Sequence, residues 1–122
     1  MTARRQWAQR RGRHAESLGA CLLQMKGYRI LARGYRVPVG EIDLIARRGR
    51  TLVFVEIKAR AEYADAAAAI GLRQRARIAR AASLFLAQNP RLAGLAMRYD
   101  AILIAPWRLP RHLTDAWREA RP

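Results

Sequence analysis

The sequence predicts an α/β domain in which a mixed β-sheet is flanked by helices, in the order α-β-β-β-α-β. Apolar residues recur at helical spacing near the start and in the middle of the chain, whereas four shorter segments have strand character. The longer helical segment separates the third and fourth strand segments, and such a crossover allows two strands to lie parallel. The length of 122 residues fits one domain over 1–122.

The first helix is predicted over residues 14–26, with Gly27 as its stop. Its expected buried face consists of Ala15, Leu18, Leu22 and Met25. Cys21, the only cysteine, lies in the same apolar stretch and is expected to behave as a small core residue. Residues 1–12 are basic without a clear period, which indicates a mobile arm.

The remaining elements follow from composition and from turn residues. Strands are predicted over 28–37, 40–47, 52–59 and 97–105, and the second and third of them form a hairpin. An alanine-rich helix is predicted over 66–88, weakened near Gly71 and ended by Asn89-Pro90. Pro106 and Pro110 interrupt the chain after the last strand, so an irregular tail is expected from residue 106.

The charge of the chain indicates a polyanionic partner. Lys and Arg number 24 against 9 Asp and Glu, for a net charge of +15, and they are spread over the whole chain. A ribosomal or nucleoid protein that needs only positive charge remains an alternative. No run approaches the roughly 18 apolar residues of a membrane span, so we expect a cytoplasmic protein that does not contact membranes. One cysteine and two histidines cannot form a Cys/His zinc site, so any metal should have oxygen ligands.

The predicted hairpin brings charged residues together. If Gly49 is the first residue of a two-residue turn, Asp43 lies opposite Glu56, and Glu41 lies opposite Lys58. Because strand side chains alternate, one face is expected to collect the charged residues with Ile45 and Phe54, and the other to form the core. The core face consists of Ile42, Leu44, Ala46, Val53, Val55 and Ile57.

Two opposed carboxylates repel each other and need compensation. A cation bound by Asp43 and Glu56, with Glu41 nearby, would supply it, and Mg²⁺ (or Mn²⁺) is the metal that such oxygen ligands favour. Lys58 is one of only two lysines in a chain that otherwise uses arginine, which indicates a specific need for an ammonium. A solvated strand face with a Glu41–Lys58 ion pair explains the same residues equally well.

The segments Gly40–Ala46 and Val53–Arg60 together resemble the signature of the YraN-like family of small bacterial proteins. That family is similar to archaeal Holliday-junction resolvases, and both have the restriction-endonuclease-like fold with its PD-(D/E)xK site. The resemblance implies that Asp43, Glu56 and Lys58 form that site. The resemblance further implies that Glu16 approaches this site from the first helix, and Gln74 from the helix that follows the Glu-x-Lys strand.

This sequence departs from the family pattern at Arg73 and Tyr99, which stand where the pattern has Lys and Phe. Neither departure removes a metal ligand. The resemblance therefore implies an endonuclease in which Asp43, Glu56 and the Ile57 carbonyl hold Mg²⁺, with branched DNA as substrate and a homodimer as the assembly. A non-catalytic DNA- or RNA-binding protein that keeps the nuclease fold, and a basic scaffold that binds another protein, remain alternatives.

Two groups of arginines are candidates for contacts with nucleic acid. Arg73, Arg77 and Arg80 fall on one stripe of the second predicted helix. Arg47, Arg48 and Arg50 surround the hairpin turn, which we expect to lie beside the carboxylate site. Both groups are also compatible with ordinary solvated surfaces. Trp107 and Trp117 are expected to pack over the sheet edge rather than stack on bases.

Overall fold

The computed structural model describes residues 3–118, with side chains from His14 onward. Its helices are α1 (Ala3–Met25), α2 (Tyr63–Ala68) and α3 (Leu72–Gln88), and a short 3₁₀ turn follows at Pro90–Leu92. Its strands are β1 (Arg29–Val37), β2 (Gly40–Arg48), β3 (Thr51–Ala59), β4 (Ala96–Ile104) and β5 (Arg111–Trp117). No helix in this described range is long and apolar enough to cross a membrane.

The five strands form one mixed sheet in the spatial order β1-β2-β3-β4-β5. Only β3 and β4 are parallel, and α2 and α3 form the crossover between them. Helix α1 packs on one face of the sheet, and α3 packs on the other. The predicted fold class, a mixed sheet flanked by helices in the order α-β-β-β-α-β, is confirmed, with β5 added at its end.

Three predicted boundaries were wrong. The irregular tail expected from residue 106 contains β5, which pairs antiparallel with β4 through register pairs such as Ala101↔Leu113. The long second helix is two helices, because the chain leaves helical geometry between Ala68 and Leu72, at the weak point predicted near Gly71. The first helix begins at Ala3 and not at residue 14, so residues 3–12 are helical, while the mobility expected of residues 1–12 stays a prediction. Residues 1–2 lie outside the described part of the chain.

The buried face of α1 differs from the predicted one. From His14 onward its buried residues are Ala15, Gly19, Ala20 and Leu23, whereas Leu18 is 48% and Met25 80% exposed, and Cys21 is exposed as well. Small residues are selected because the helix lies very close to the sheet: a β-carbon at Gly19 would be 2.7 Å from the Ile57 side chain. The predicted face is thus confirmed for Ala15 and in part for Leu22, which packs partly buried against the sheet, and it is wrong for Leu18 and Met25.

The β2–β3 hairpin has the predicted register. Leu44 pairs with Val55 and Arg48 with Thr51, around a two-residue turn whose first residue, Gly49, has a φ of 60°. The expectation of one apolar and one charged face was wrong, because helices cover both faces of these central strands. Ile42 also lies on the α3 side with Ile45, not with Leu44, so the alternation of side chains breaks at the intervening Asp43.

The two tryptophans of the last segment differ in their surroundings. Trp117 is buried at the end of β5 and stacks on Tyr99, with the ring centroids 5.5 Å apart. Trp107, in the connection between β4 and β5, is fully exposed. Packing over the sheet is thus confirmed for Trp117 and wrong for Trp107.

Candidate metal centre

Strands β2 and β3 stop pairing where the acidic residues begin. Their register ends at Leu44↔Val55, and beyond it Oδ2 of Asp43 accepts a hydrogen bond from the Ile57 amide at 2.8 Å. A carboxylate thus takes the place of a strand carbonyl. Because the N–H and C=O of one strand residue point to the same side, the Ile57 carbonyl also faces the space between β2 and β3.

Glu56 is buried beside Asp43 and has two partners on one oxygen. Its Oε1 accepts a hydrogen bond from Gln74 Nε2 at 2.8 Å and lies 3.1 Å from the ammonium of Lys58. The Glu56 side chain is 4% exposed and that of Lys58 is 16% exposed. The predicted group of Asp43, Glu56 and Lys58 is therefore brought together, and Gln74 joins it from the first turn of α3.

The position of Gln74 depends on a close approach between α3 and β2. A β-carbon at Gly40 would overlap the carbonyl oxygen of Arg77 and lie 2.8 Å from its carbonyl carbon. Only glycine at the start of β2 allows this contact of helix backbone on strand backbone. The contact sets the height of α3 above the sheet, and with it the reach of Gln74.

The two carboxyl groups have perturbed acidities. Burial and then the charge of Asp43 raise the pKa of Glu56 to about 8, although Lys58 opposes this. Burial also raises the pKa of Asp43, against the lowering effect of the Ile57 amide and of a hydrogen bond with Glu56. Both shifts favour retention of a proton by this pair.

Glu16 of α1 also lies near the pair. It is two residues after His14, the first residue whose side chain is described. Its Oε1 is 3.5 Å from Arg33 Nε, and its carboxylate lies over Gly34, the β1 residue between the partners of Leu44 and Ile42. Its negative charge is one of the smaller influences that raise the pKa of Asp43. Because Ala15, Gly19 and Ala20 face the sheet, Glu16 flanks the buried face and reaches toward Asp43.

Glu41 is not part of this group. It is half exposed, and its carboxylate lies 3.4 Å from Arg36 of β1. The alternative Glu41–Lys58 pair does not form either, because the ammonium of Lys58 contacts Glu56. The break in β2 at Asp43 explains both results, since regular alternation would have put these side chains on one face.

The arginines of the hairpin turn lie far from the carboxylates, contrary to expectation. Arg47 is four residues from Asp43 along β2, which is about 13 Å at roughly 3.3 Å per residue. Arg48 stacks on Tyr28, 4.4 Å from the ring centroid, and donates to the Lys26 carbonyl. Arg50 is exposed at the tip of the turn. The carboxylates sit at the open end of the hairpin and the turn at the other.

The arginine stripe on α3 is exposed as predicted. Arg73, Arg77 and Arg80 are all exposed, and none of them makes an ion pair with a side chain in the described part of the chain. Arg73 precedes Gln74, so the stripe begins next to the residue that touches Glu56. These guanidinium groups are free to contact a ligand that reaches the carboxylates.

A second acidic group, on the α1 face, was not predicted as a site. Asp100 is fully buried, and its carboxylate accepts two hydrogen bonds from Arg98, one from His112 Nε2 and one from the Asp115 amide, at 2.7–3.0 Å. Although burial alone would raise it, these bonds lower the pKa of Asp100 to about 2. With its oxygens occupied, Asp100 is a structural anchor. A lone Asp before an apolar run was its only sequence signal.

The residues around Asp43 and Glu56 fit a divalent cation with few protein ligands. Within residues 14–118, whose side chains are described, no three His, Cys, Asp or Glu side chains form a cluster suited to a metal. Mg²⁺ commonly uses only one or two carboxylates and keeps several waters. Two adjacent carboxyl groups and one backbone carbonyl match that ligand set.

Comparison with known proteins gives the family context. The model of the uncharacterised protein family UPF0102 matches residues 15–104. The UPF0102 protein of Paramagnetospirillum magneticum is 52% identical, with 93% of this chain and 91% of that protein covered. The UPF0102 protein of Methylorubrum extorquens is 53% identical, with coverage of 94% and 90%. That of Maricaulis maris is 51% identical, with coverage of 96% and 92%.

Proposed function

The chain belongs to the uncharacterised protein family UPF0102, and we propose that it is a divalent-metal-dependent endonuclease acting on DNA. The observation that carries the proposal is the pair formed by buried Glu56 and partly buried Asp43. Among the side chains that the structure describes, the ammonium of Lys58 is the one cationic group that forms an ion pair with it. Burying two adjacent carboxyl groups is costly unless a cation or a proton compensates them. A divalent cation held by both carboxyl groups would compensate their charge, and it could also bind a phosphate oxygen of a substrate.

In this proposal Asp43, Glu56 and the Ile57 carbonyl hold Mg²⁺ or Mn²⁺. When bound, the metal supplies Lewis-acid activation of a phosphodiester and of a water molecule. Gln74 fixes the orientation of Glu56 through its hydrogen bond to Oε1. The Ile57 amide fixes Asp43 in the same way, so both ligands are oriented before a metal arrives.

Lys58 has a separate role. Its ammonium already contacts Glu56 Oε1, and its side chain keeps some exposure, so it could reach a phosphate bound beside Glu56. There it stabilises the negative charge that develops on the phosphate oxygens as the P–O bond breaks. Lysine suits this position because its ammonium is a compact point charge, whereas the planar fork of arginine favours two parallel hydrogen bonds.

The substrate class follows from charge and from the resemblance to resolvases. A net charge of +15 favours a polyanion, and the Arg73, Arg77 and Arg80 stripe begins beside Gln74. DNA is favoured over RNA, and branched DNA and a homodimer are proposed from the similarity to Holliday-junction resolvases. The exposed Trp107 is available to stack on an unpaired base.

The test is cleavage of branched, duplex and single-stranded DNA and of RNA, with Mg²⁺, Mn²⁺ or EDTA. Native protein is expected to cut DNA only with metal, and Asp43→Asn and Lys58→Met are expected to lose at least about 100-fold in rate. Glu41→Gln is the matched control, because it removes an exposed carboxylate from the same strand and should cut normally. Cleavage that survives Asp43→Asn would overturn the site. Binding without cleavage under every condition would favour a non-catalytic DNA- or RNA-binding protein.

A further inference from the structure

Three arginines line a cavity at the opposite end of the hairpin from the carboxylates. Arg29 comes from the start of β1, Arg47 from the end of β2, and Arg91 from the 3₁₀ turn after α3. The cavity has a volume of about 370 Å³, and Phe85 and Leu92 form part of its apolar wall. It lies at the edge of the sheet, because β1 is an edge strand.

The arrangement of these arginines is unfavourable by itself. Arg29 and Arg47 are direct cross-strand partners, and like charges in that position repel each other. Among the described residues, none of the three makes an ion pair. Three guanidinium groups thus face one cavity with no carboxylate to balance them.

No acidic side chain in the described part of the chain lines this cavity. The acidic side chains that form ion pairs in the described part of the chain contact basic residues outside the lining of this cavity, as Glu16 does with Arg33 and Asp115 with Arg118. Arg47 is also held in place, because its Nε donates to the Gly49 carbonyl at 2.9 Å. This leaves the two terminal nitrogens of Arg47 available for a ligand.

We propose that the Arg29–Arg47–Arg91 cavity binds a phosphate group of a nucleic-acid strand that also reaches the Asp43–Glu56 pair. Arginine is suited to phosphate because its planar fork donates two parallel hydrogen bonds. An anion in the cavity also removes the repulsion between Arg29 and Arg47. This proposal rests on the proposed function only in naming the strand that supplies the phosphate.

The cavity and the carboxylates lie on the same face of the sheet. Gln74 of α3 contacts Glu56, and Phe85 of the same helix lines the cavity, so α3 runs from one site to the other. Arg47 is about 13 Å from Asp43 along the strand. A separation of this size spans only a few nucleotides of one strand, so the bound phosphate lies close to the cleaved bond.

Binding measured in EDTA tests the cavity without requiring cleavage. Arg29→Gln and Arg91→Gln are compared with Arg111→Gln, which removes the same charge from β5 at the other edge of the sheet. DNA affinity at low salt is expected to fall about tenfold more in the cavity variants than in the control. The slope of log affinity against log salt should fall by about one per lost phosphate contact. Equal affinity and slope in all three variants would overturn the proposal.

A thermal-shift arm identifies the ligand. Without any anion, Arg29→Gln is expected to melt above Arg111→Gln, because the repulsion with Arg47 is relieved. Inorganic phosphate should raise the Tm of native protein and of Arg111→Gln, but not that of Arg29→Gln. If adenosine monophosphate binds more tightly than phosphate while DNA affinity is unchanged in the cavity variants, a free nucleotide replaces the strand as ligand and the proposal fails.

The two proposals fail independently. If native protein cuts DNA but Arg29→Gln and Arg91→Gln bind it as Arg111→Gln does, the carboxylate site stands and the cavity proposal is overturned. If no DNA is cut but the cavity variants lose affinity, the cavity proposal stands and the nuclease proposal is overturned. Single methylphosphonates placed in turn at the phosphates near the cut should weaken binding to native protein at one position. At that position they should leave binding to Arg91→Gln unchanged.

Discussion

Replacing Glu56 by glutamine is expected to stabilise the metal-free protein at alkaline pH. The folded protein keeps the proton of Glu56 up to a pKa of about 8, because of burial and then the charge of Asp43, whereas the ordinary value is 4.5. Between these values the folded state holds more protons than the unfolded chain, so stability falls as pH rises. Each tenfold difference in proton affinity is worth about 1.4 kcal/mol. A rise in pH from below the ordinary value to above the raised one therefore lowers the free energy of unfolding by roughly 4 to 5 kcal/mol.

Glutamine mimics the protonated glutamate, because it is neutral and can still accept the hydrogen bond from Gln74. The free energy of unfolding of Glu56→Gln should therefore be nearly independent of pH between 5 and 8. Urea unfolding in EDTA at several pH values measures this, with exposed Glu41→Gln as a control that should follow the native protein. Parallel pH curves for native protein and Glu56→Gln would refute the reasoning.

Three further predictions concern neighbouring contacts. Gly40→Ala should destabilise the fold by about 3 kcal/mol or more, because its methyl group overlaps the Arg77 carbonyl; an unchanged urea midpoint would contradict this. Asp100→Asn should cost about 2 kcal/mol at pH 7, and the native protein should lose the same amount in acid, as pH falls from about 4 toward 2; a pH-independent difference between the two would contradict the assigned pKa. Gln74→Met should lower metal affinity or cleavage 10- to 100-fold with little change in Tm, since it frees Glu56 to rotate; full activity would remove Gln74 from the site.

The central pair was predictable because its geometry is local. A two-residue turn at Gly49 sets the hairpin register, and that register brings Asp43 and Glu56 to neighbouring positions. The sequence could not show that β2 and β3 stop pairing between Leu44 and Asp43. This break depends on the hydrogen bond that the Ile57 amide donates to the Asp43 carboxylate. That break explains why Glu41, assigned to the same face by alternation, contacts Arg36 instead.

The surroundings of the pair depended on packing that periodicity does not reveal. Because Gly19 lies very close to the sheet, the side of α1 that faces the sheet is the side of Gly19. This orientation of the helix places Glu16 near Asp43. Large apolar residues such as Leu18 were expected inside because burial usually follows size, but tight packing selected glycine and alanine. Gln74 was implied by the family resemblance alone, since nothing in its own helix distinguishes it from an exposed glutamine.

Strand β5 was missed for a different reason. It is an edge strand that begins just after Pro110 and is interrupted by Asp115 at a φ of 52°. The β4–β5 register shifts between Tyr99 and Ala101, and there the amide of Asp115 bonds to the buried carboxylate of Asp100. A contact between residues on two strands, held by one buried side chain, leaves no period in the sequence.

Calorimetric titration of Mn²⁺ into native protein and into Asp43→Asn at pH 7 tests the metal centre most directly. We predict one ion bound per chain, with the release of about one proton as Glu56 ionises, measured by repeating the titration in buffers of different ionisation enthalpy. Asp43→Asn should bind at least tenfold more weakly, while Glu41→Gln should bind as the native protein does. Absence of binding to native protein, or equal binding by Asp43→Asn, would contradict the assignment of this pair as a metal site.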